Sequence, residues 1–461
     1  MFDYAVLGLG KTGCAALEYL VRREPAARIL ASDAKADPAL EEQLKRQFPG
    51  VAFEFGGHTE RVAQARQIIK SPGLKSQHPI LKRAREAGAI VMSEIEFAFR
   101  RFPAQPRFIV GVTGTNGKTT TTHLSGRLFE AGGFQTLVAG NIGAPLIGSL
   151  GSIHPDTVLV LELSSYQLED SRELALDAGL VMNITPDHLE HHGDWAAYLA
   201  AKEKIFRFVK PGGWEIVNAD DAAVRNLAPG PAGIRLSFSS KQALEEGAWL
   251  SGGKLQFAVG HSKVNIRCSA APCPNLIGVH NLENQMAAIL SALIGGVRPA
   301  AVEQALTMYA PPPHRLEKVT EIGGILFIND SKATNIDSTV VALRAIGPLA
   351  AARRGKIHLL LGGQDKGSPY APIADFAPAI KKIYAYGEAR GKIVEELKAL
   401  PGEAYPDLPA AVRDAVTQIG TGDIVLLSPA CASFDQFKNF EHRGERFREI
   451  VARLLGPRSG R

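Results

Sequence analysis

Cysteine is scarce in this chain of 461 residues. The cysteines that occur are scattered and lack the paired spacing of a structural zinc site; they are Cys14, Cys268, Cys273 and Cys431. Scattered cysteines are typical of a reducing compartment, where each thiol serves as a small apolar side chain. This usage argues against a disulfide-stabilised scaffold and against a cysteine-ligated metal centre.

Long hydrophobic runs are also missing. No apolar stretch approaches the roughly 20 residues that a membrane-spanning helix requires. The chain begins MFDYAVLGLG, which lacks the basic start and the apolar core of a secretory signal. Together these absences predict a cytoplasmic protein that does not insert into a membrane.

Charge of one sign is not concentrated in any part of the chain. The formal net charge is only +5, and no run of Lys or Arg suggests a groove for nucleic acid. The mild positive excess suits small anionic ligands instead. No self-complementary apolar stripe is evident, so we expect a monomer without a nucleic-acid partner.

The most informative stretch that is present is Phe108–Thr122, FIVGVTGTNGKTTTT. An apolar run typical of a β-strand leads into a loop of small residues, and a helical pattern follows. A strand, a glycine-containing loop and a helix that starts with Lys and a hydroxyl form a cradle for a triphosphate and its Mg²⁺. We therefore predict a nucleotide site that consists of Gly114, Thr115, Asn116, Gly117, Lys118, Thr119 and Thr120.

The loop departs from the general phosphate-loop pattern at one position. Val112 stands where the pattern has glycine, and Gly111 and Gly114 lie on either side of it. An ordinary tight turn is the alternative interpretation. Because the strand and the helix lie where the motif requires them, we favour the nucleotide site.

The first part of the chain alternates short apolar runs with helical patterns, which predicts a parallel sheet with crossover helices. The first run is followed by Gly8–Gly13, GLGKTG, and Asp33 comes about 20 residues later. This spacing resembles a dinucleotide-binding fingerprint, in which the acid binds ribose hydroxyls. It predicts a ligand with a pyrophosphate group, and a purely structural turn is the alternative.

Two proline-containing stretches without periodicity, Arg101–Pro106 and Ala310–Pro313, are predicted to be linkers. They divide the chain into three predicted domains, residues 1–103, 104–311 and 312–461. All three are expected to be α/β. The first is a Rossmann-like parallel sheet, the second resembles phosphate-loop NTPases, and the third is again Rossmann-like.

Glu162 and a group of histidines are further candidates for a site. Glu162 ends an apolar run typical of a buried parallel strand, at the edge where α/β proteins bind ligands. His188, His191 and His192 lie close together in the sequence. Because adjacent histidines cannot share one face of a helix, we predict one functional histidine and two surface ones rather than a zinc site.

Several separate motifs occur in order along the chain. They are Thr113–Thr120 (TGTNGKTT), Leu161–Glu169 (LELSSYQLE), Asn183–Leu189 (NITPDHL), Lys202, His280-Asn281 with Asn284, Pro313-His314-Arg315, Asn329–Asn335 (NDSKATN) and Ser428–Gly444 (SPACASFDQFKNFEHRG). Together they resemble the Mur ligases, the ATP-dependent family that forms amide bonds in peptidoglycan precursor synthesis. The similarity spans all three predicted domains and is strongest to the D-glutamate-adding members.

The resemblance implies a reaction. The carboxylate of UDP-N-acetylmuramoyl-L-alanine would attack the γ-phosphate of ATP to form an acyl phosphate. The amine of D-glutamate would then attack the carbonyl, and the tetrahedral intermediate would collapse to an amide and phosphate. Since carboxylate and triphosphate repel each other, such a site needs cations that bring them together.

The resemblance also implies two Mg²⁺ ions. Lys118 and Thr119 would hold the phosphates and the first ion, with Glu162 as a further ligand. His188 resembles a ligand of the second ion, together with a carbamylated lysine that corresponds to Lys202. A carbamate offers the oxygen donors that Mg²⁺ prefers. A structural role for Glu162 and a solvated Lys202 are the alternatives.

Further residues resemble those that bind ATP in the family. Arg315, just past the second linker, would contact the γ-phosphate when the third domain closes. Asp330 and Lys332 resemble the pair that serves the ATP ribose and the transferring group. Asn281 and Asn284, three positions apart on a predicted helix, would face the adenine, with ordinary helix surface as the alternative.

The substrate-binding residues are also implied by the resemblance. Asp33, Ser71 and Gly73 fall where the family binds the uridine diphosphate, and Asn141 falls where it contacts the muramoyl group. Ala34 departs from the family, because a hydroxyl is expected there for the uracil.

The D-glutamate site of the family corresponds to Lys366, Ser433 and Phe440. They would provide a cation and a hydroxyl for the carboxylates and an aromatic wall beside them.

Other functions stay open at this point. Another Mur-family ligase or a folyl-polyglutamate synthetase would share much of the chemistry, although the chain lacks the Asp-Asn-Pro-Arg signature of the diamino-acid-adding type. A phosphate-loop ATPase or switch would leave the GxGxxG domain and the third domain unexplained. An NAD-dependent oxidoreductase would leave the central phosphate loop unexplained.

Overall fold

The structure, a computed structural model, describes residues 1–455. These residues contain three β-sheets, and the chain divides into two compact units. The first unit consists of Met1–Pro272 and Glu283–Thr307, and it contains two of the sheets. The second unit consists of Cys273–Leu282 and the chain from Met308 onwards, and it contains the third sheet.

The first sheet is built from five parallel strands. Its elements are β1 (Phe2–Leu7), α1 (Lys11–Arg23), β2 (Ile29–Asp33), α2 (Pro38–Gln47), β3 (Ala52–Phe55), β4 (Ala65–Lys70), α3 (Pro79–Glu86), β5 (Ile90–Ser93) and α4 (Glu94–Phe99), with a 3-10 turn at Val62–Gln64. The strand order is β3-β2-β1-β4-β5, which reverses between β1 and β4. Doubly wound sheets bind their ligands at such a reversal.

The second sheet has nine strands. Its elements are β6 (Phe108–Thr113), α5 (Lys118–Ala131), β7 (Thr136–Gly140), β8 (Val158–Glu162), α6 (Ser165–Asp170), β9 (Leu176–Val181), α7 (Leu189–His192), α8 (Trp195–Glu203), β10 (Val209–Asn218), α9 (Ala222–Arg225), β11 (Ile234–Ser239), β12 (Gly247–Ser251), β13 (Lys254–His261) and β14 (Val264–Ala270), with 3-10 turns at Leu146–Ser152 and Lys204–Phe208. Helices α10 (Val279–Ile294) and α11 (Pro299–Met308) follow. The order is β14-β13-β12-β11-β10-β9-β6-β8-β7, so the parallel strands β9, β6 and β8 are neighbours.

One edge of the second sheet is antiparallel. Strands β12, β13 and β14 form two successive hairpins. Their pairing leaves two-residue turns at Gly252-Gly253 and Ser262-Lys263. The sequence analysis predicted an α/β domain here but did not identify these strands, although β13 and β14 contain eight and seven residues.

The third sheet has six strands. Its elements are β15 (Glu317–Ile322), β16 (Ile325–Asn329), α12 (Ile336–Ala352), β17 (Ile357–Gly362), β18 (Ile380–Tyr386), α13 (Arg390–Glu396), β19 (Gly402–Tyr405), α14 (Leu408–Gln418), β20 (Ile424–Leu427) and α15 (Phe440–Leu455), with a 3-10 turn at Ala371–Phe376. The order is β15-β16-β20-β17-β18-β19, and all neighbours are parallel except β15 and β16. The carboxyl ends of β16, β20 and β17 therefore meet at one edge.

Continuous apolar runs form the most buried strands. Strands β8, β17 and β20 are buried at every residue, as parallel strands are when helices cover both faces of a sheet. The predicted α/β class is confirmed, since helices alternate with parallel strands in all three sheets. Among the helices of residues 1–455, none combines the length and the apolar character needed to cross a bilayer.

Candidate active site

The phosphate-loop motif forms the turn between β6 and α5. Gly117 precedes α5 with a φ of +84°. A Cβ atom at this position would lie 2.3 Å from Oδ1 of Asn284. Glycine is required by both the conformation and the close approach. The turn thus places the positive end of the α5 dipole at the loop, as an anion site requires.

Asn183, which follows β9, holds the tip of this loop. The amide N–H of Asn116 donates to Asn183 Oδ1 at 2.8 Å, and Asn183 Nδ2 donates to the carbonyl of Asn116 at 3.1 Å. The Thr115 hydroxyl lies 2.9 Å from the hydroxyl of Tyr198. The sequence analysis assigned neither Asn183 nor Tyr198 to the site. Asn183 could have been singled out from its place directly after an apolar strand, within the NITPDHL motif.

Glu162 ends β8 beside the start of α5. The Thr119 hydroxyl donates to Glu162 Oε2 at 2.8 Å, and Asn141 Nδ2 donates to Glu162 Oε1 at 2.9 Å. The Glu162 residue is only 2% exposed. A hydroxyl and a carboxylate side by side are the oxygen donors that suit Mg²⁺. The structure thus brings two of the predicted metal ligands together and joins Asn141, which was predicted to bind the muramoyl group, to the same carboxylate.

Two lysines converge on the carbonyl of Gly114. Lys118 Nζ donates to this oxygen at 2.8 Å and to the carbonyl of Thr115 at 2.7 Å, and Lys202 Nζ donates to the Gly114 oxygen at 2.8 Å. Lys202 is buried, which excludes a solvated helix lysine. Burial, and then the positive charge of Lys118, lowers the pKa of Lys202 well below its usual value. Both causes disfavour the charged ammonium relative to the neutral amine at this position.

The histidine segment differs from the sequence-based expectation. His188 is exposed and precedes α7 with a φ of +53°. His191 Nε2 lies 3.2 Å from Glu169 Oε2, and the buried His192 has its Nε2 3.0 Å from Ser165 Oγ. Burial lowers the pKa of both His191 and His192. The prediction of two surface histidines was wrong, because α7 is a single turn whose adjacent side chains both contact α6.

The three candidates in the first sheet lie beside the glycine turn that follows β1. Asp33 Oδ2 accepts the amide N–H of Leu9 at 2.6 Å, so this carboxylate also holds the turn. A Cβ atom at Gly8 would lie 2.5 Å from the Cβ of Ser71, which follows β4. Gly73 is exposed two residues further on. Asp33, Ser71 and Gly73 therefore group at the reversal of the strand order.

The two asparagines of α10 are buried, at 6% exposure for Asn281 and 3% for Asn284. This burial excludes the alternative in which both asparagines lie on the solvent-exposed surface of the helix. Asn281 Nδ2 donates to the carbonyl of Ile277 at 2.8 Å. The Thr121 hydroxyl donates to Asn284 Oδ1 at 3.3 Å, so Asn284 packs against the first turn of α5.

In the second unit, Arg315 lies in a turn with unusual backbone geometry. Its neighbours His314 and Leu316 have φ values of +66° and +44°, a conformation that costs energy unless surrounding contacts hold it. The Leu316 amide donates to Asp330 Oδ1 at 3.2 Å, and the Lys332 amide donates to the carbonyl of His314 at 3.0 Å. Burial raises the pKa of Asp330 to about 7. The structure thus brings Arg315, Asp330 and Lys332 together.

The predicted D-glutamate residues surround the carboxyl edge of the third sheet. Lys332 Nζ lies 3.9 Å from the centre of the Phe440 ring. Ser433 is buried after β20, whereas Lys366 is exposed after β17. The Gln364 amide donates to the carbonyl of Ala432 at 2.9 Å, which joins the two loops that carry Lys366 and Ser433.

Arg443 of α15 holds the loops at this edge together. The sequence analysis did not assign it to the site. Its guanidinium is fully buried and donates to backbone carbonyls at the carboxyl ends of three strands: Ser331 at 2.9 Å, Cys431 at 3.1 Å, Ala432 at 3.3 Å and Gly362 at 3.4 Å. Its Nε also donates to Ser331 Oγ at 3.0 Å. A sequence signal for this role is weak, because a buried arginine on an otherwise amphipathic helix looks like a surface residue.

The predicted residues thus form separate groups. The loop Gly114–Thr120 is joined to Glu162, Asn141, Lys202 and Asn284 by contacts in the first unit. In the described part of the chain, no hydrogen bond joins His188 to Lys202 or Glu162. The first-sheet residues and the residues of the second unit form their own groups.

Comparison with known proteins identifies the family to which the chain belongs. A model of the Mur ligase MurD-like N-terminal domain matches residues 3–93, the Mur ligase middle domain matches residues 112–292, and the Mur ligase glutamate ligase domain matches residues 314–431. The chain belongs to the Mur ligase family, whose members use ATP and Mg²⁺.

Several relatives carry the name UDP-N-acetylmuramoylalanine–D-glutamate ligase. The one from Koribacter versatilis is 37% identical over 458 residues, which cover 97% of each chain. Those from Elusimicrobium minutum and Myxococcus xanthus are both 39% identical, over 97% of this chain and 97% and 98% of theirs.

Solved structures share the fold. The UDP-N-acetylmuramate-alanine ligase MurC from Thermotoga maritima matches with a TM-score of 0.58 at 18% identity, over 98% of this chain and 100% of that chain. A pseudomurein peptide ligase type C from Methanothermus fervidus matches with the same TM-score at 16% identity, over 98% of this chain and 100% of that chain. Identities this low speak for the fold alone.

Proposed function

We propose that the chain is an ATP-dependent ligase that joins D-glutamate to UDP-N-acetylmuramoyl-L-alanine through an acyl-phosphate intermediate. The observation that carries this proposal is the convergence of Lys118, Thr119, Glu162 and Lys202 at the edge of a parallel sheet. The full-length relatives support the choice of both substrates. They also favour this reaction over that of a simple phosphate-loop ATPase or an oxidoreductase.

The proposed role of the chain is to hold two anionic reactants together. Lys118 and the positive end of α5 would offset the phosphate charge during in-line transfer. In the second unit, Arg315 and Lys332 would add positive charge at the γ-phosphate, and Asp330 would bind the ribose. Asn281 and Asn284 are proposed for the adenine.

The donor set of the loop fits Mg²⁺. Thr119 Oγ1 and Glu162 Oε2 are adjacent oxygen donors, and both would bind the first ion. His188 and a carbamylated Lys202 are proposed for the second ion. When bound, ATP supplies the phosphoryl group that activates the carboxylate, and Mg²⁺ balances the charge that develops on it.

The carbamate on Lys202 would form from the neutral amine and CO₂. The nitrogen attacks the carbon, an N–C bond forms, one C=O electron pair moves onto oxygen, and the amine releases a proton to solvent. Burial and the charge of Lys118 both favour the neutral amine, which is the nucleophilic form. The product is an anionic oxygen donor in a position where an ammonium would repel Mg²⁺.

The remaining site residues are proposed to bind the substrates. Asp33, Ser71 and Gly73 would bind the uridine diphosphate, and Asn141 the muramoyl group. Lys366, Ser433 and Phe440 would bind D-glutamate, with the exposed ammonium of Lys366 available to a carboxylate. The domain boundaries, the monomeric state and the cytoplasmic location stay predictions.

A substrate-dependence assay tests the proposal. The full chain is incubated with ATP, Mg²⁺ and UDP-N-acetylmuramoyl-L-alanine, and D-glutamate, L-alanine or a diamino acid is added separately. We expect phosphate release that depends on D-glutamate. Release without any amino acid would support the plain ATPase instead, and release with another amino acid would support a different Mur ligase.

A pair of threonine variants locates the activity on the loop. Thr119→Val keeps the shape of the side chain but removes the hydroxyl that contacts Glu162, so we expect D-glutamate-dependent release to fall by about 100-fold or more. Thr307→Val, at an exposed position of α11, is the control and should retain full activity.

A further inference from the structure

A carboxylate and two imidazoles converge outside the phosphate loop. Glu169 lies near the end of α6, and His191 and His192 end the single-turn helix α7. Oε2 of Glu169 is 3.2 Å from Nε2 of His191 and 3.7 Å from Nδ1 of His192. One donor atom from each of the three side chains lies within 4.8 Å of the other two.

We propose that Glu169, His191 and His192 form a binding site for a divalent transition-metal ion of the Zn²⁺ type, separate from the Mg²⁺ sites of the ligase. Metal–ligand distances of about 2.0–2.1 Å in a tetrahedron place ligand atoms roughly 3.3 Å apart. The distances of 3.2 Å and 3.7 Å from Oε2 of Glu169 to the two imidazole nitrogens lie within about 0.4 Å of this value. The proposal does not depend on the reaction that the chain catalyses.

The contact of His192 Nε2 with Ser165 turns the other ring nitrogen, Nδ1, toward Glu169. His192 Nε2 lies 3.0 Å from the hydroxyl of Ser165, which leaves Nδ1 on the side of Glu169. A hydrogen bond to the other ring nitrogen is what orients metal-binding histidines in proteins. The Tyr166 ring stacks on His192 with its centre 5.4 Å away and contacts His191 at 4.1 Å, which restricts both imidazoles.

The exposure of the three side chains gives an ion access. His192 is buried, whereas the side chains of Glu169 and His191 remain 26% and 10% exposed. An ion could therefore enter from solvent and keep a water molecule in the fourth position. Such a site binds less tightly than a closed site with four protein ligands.

The donor types of this cluster favour a transition metal over Mg²⁺, whereas the neighbouring charges act on both kinds of ion alike. Lys70 forms a buried ion pair with Asp170, and Lys204 Nζ donates to the carbonyl of Glu169 at 2.8 Å. Asp170 thus offsets the charge of Lys70, while the positive charges of Lys75 and Lys202 also act on the two imidazoles. Two nitrogen donors and one oxygen donor suit Zn²⁺, Co²⁺ or Ni²⁺, whereas Mg²⁺ prefers oxygen.

A bound ion would fasten α7 to α6. His188 directly precedes α7, and its ring lies 5.1 Å from the ring of Tyr166 on α6. The ion would therefore restrain the backbone on which His188 is carried. We therefore expect the unfolding temperature of the protein to rise when the metal is added.

Cobalt spectroscopy tests the site directly. The metal-free full chain is titrated with Co²⁺ in excess Mg²⁺, and the visible absorption of four-coordinate Co²⁺ is followed. We expect one equivalent to bind, and Zn²⁺ to remove the absorption. His191→Gln and Glu169→Gln should each weaken binding by at least tenfold, while His154→Gln, which alters an exposed histidine elsewhere, should bind as the parent does.

Thermal unfolding provides a second readout and a check on folding. Zn²⁺ should raise the unfolding temperature of the parent and of His154→Gln but not that of His191→Gln or Glu169→Gln. If one of these two variants fails to fold, the cobalt binding and the thermal unfolding of the other variant test the proposal. Absence of the cobalt absorption, or equal cobalt binding by parent, Glu169→Gln and His191→Gln, would overturn the proposal.

Discussion

Lys202 is a buried lysine whose amine shares a carbonyl with a second lysine, an arrangement that is unfavourable for two ammonium groups. The proposed carbamate removes this conflict, because it replaces one cation by an anion. We predict that Lys202→Ala lowers D-glutamate-dependent phosphate release by about 100-fold or more. Added formate or acetate should restore part of the activity, since a small carboxylate can occupy the vacated space.

The control for this variant is Lys241→Ala, which changes an exposed lysine. It should retain full activity and show no response to formate. Full activity in Lys202→Ala would remove Lys202 from the mechanism.

Asp423 shows how hydrogen bonds outweigh burial at a single carboxylate. It accepts the amide N–H groups of Lys356 at 2.8 Å and Gly420 at 2.9 Å, and it contacts Lys381 and His358. Burial alone would raise its pKa, but these contacts lower the pKa of Asp423 to about 2, from the usual 3.8. The ionised carboxylate therefore stabilises the folded state above pH 3.8, and this stabilisation is lost as the pH falls toward 2.

We predict that Asp423→Asn lowers the free energy of unfolding by about 2 kcal/mol at pH 7. Near pH 2 most of the difference from the parent should disappear, because about half of the Asp423 carboxyl groups are then protonated in the folded state and nearly all of them in the unfolded state. Denaturant unfolding of the two proteins at both pH values measures this effect. An equal deficit at both pH values would show that the charge of Asp423 is not the cause.

Helix α1 can pack closely on the preceding turn because of one glycine. A Cβ atom at Gly13 would lie 2.0 Å from the carbonyl oxygen of Gly8, whereas a Cβ atom at Gly10 would meet nothing within 4 Å. We predict that Gly13→Ala lowers the free energy of unfolding by about 1–3 kcal/mol, since α1 or the turn must shift. Gly10→Ala is the matched control in the same turn.

Gly10→Ala should cost less than about 1 kcal/mol, because it only changes the residue that precedes the helix. Thermal unfolding by circular dichroism compares the two variants with the parent. Equal losses for both variants would mean that the close approach at Gly13 does not determine stability.

At the scale of the first unit, a buried ion pair joins the first sheet to the second. Lys70 ends β4, Asp170 ends α6, and their side chains are 1% and 5% exposed. Ser76 Oγ also donates to Asp170 Oδ1 at 2.6 Å. We predict that Lys70→Met lowers the free energy of unfolding by about 3–5 kcal/mol, because it leaves a buried carboxylate without its cation.

The double variant Lys70→Met with Asp170→Leu tests the reason for this loss. It should be more stable than Lys70→Met alone, because no uncompensated charge remains buried. Denaturant unfolding of the parent, both single variants and the double variant completes the cycle. Additive losses would show that the two charges act independently.

Across the whole chain, the sequence was sufficient for the α/β class, the three domains and the order of strand, turn and helix around Gly114–Thr120. Continuous apolar runs and glycine-containing turns are local patterns, so they can be recognised in a single sequence without an alignment. Contacts between distant segments leave no such signal. Asn141 on Glu162, His192 on Ser165 and the buried Arg443 could not be predicted, because each depends on which loops the sheets bring together.

The buried guanidinium of Arg443 at the carboxyl edge of the third sheet limits how this edge can evolve. Because one planar group bonds the backbone after β16, β17 and β20, an insertion in any one of these loops would disturb the other two. New specificity at this edge would therefore arise through exchanges of outward-facing side chains, with the length of each loop kept constant.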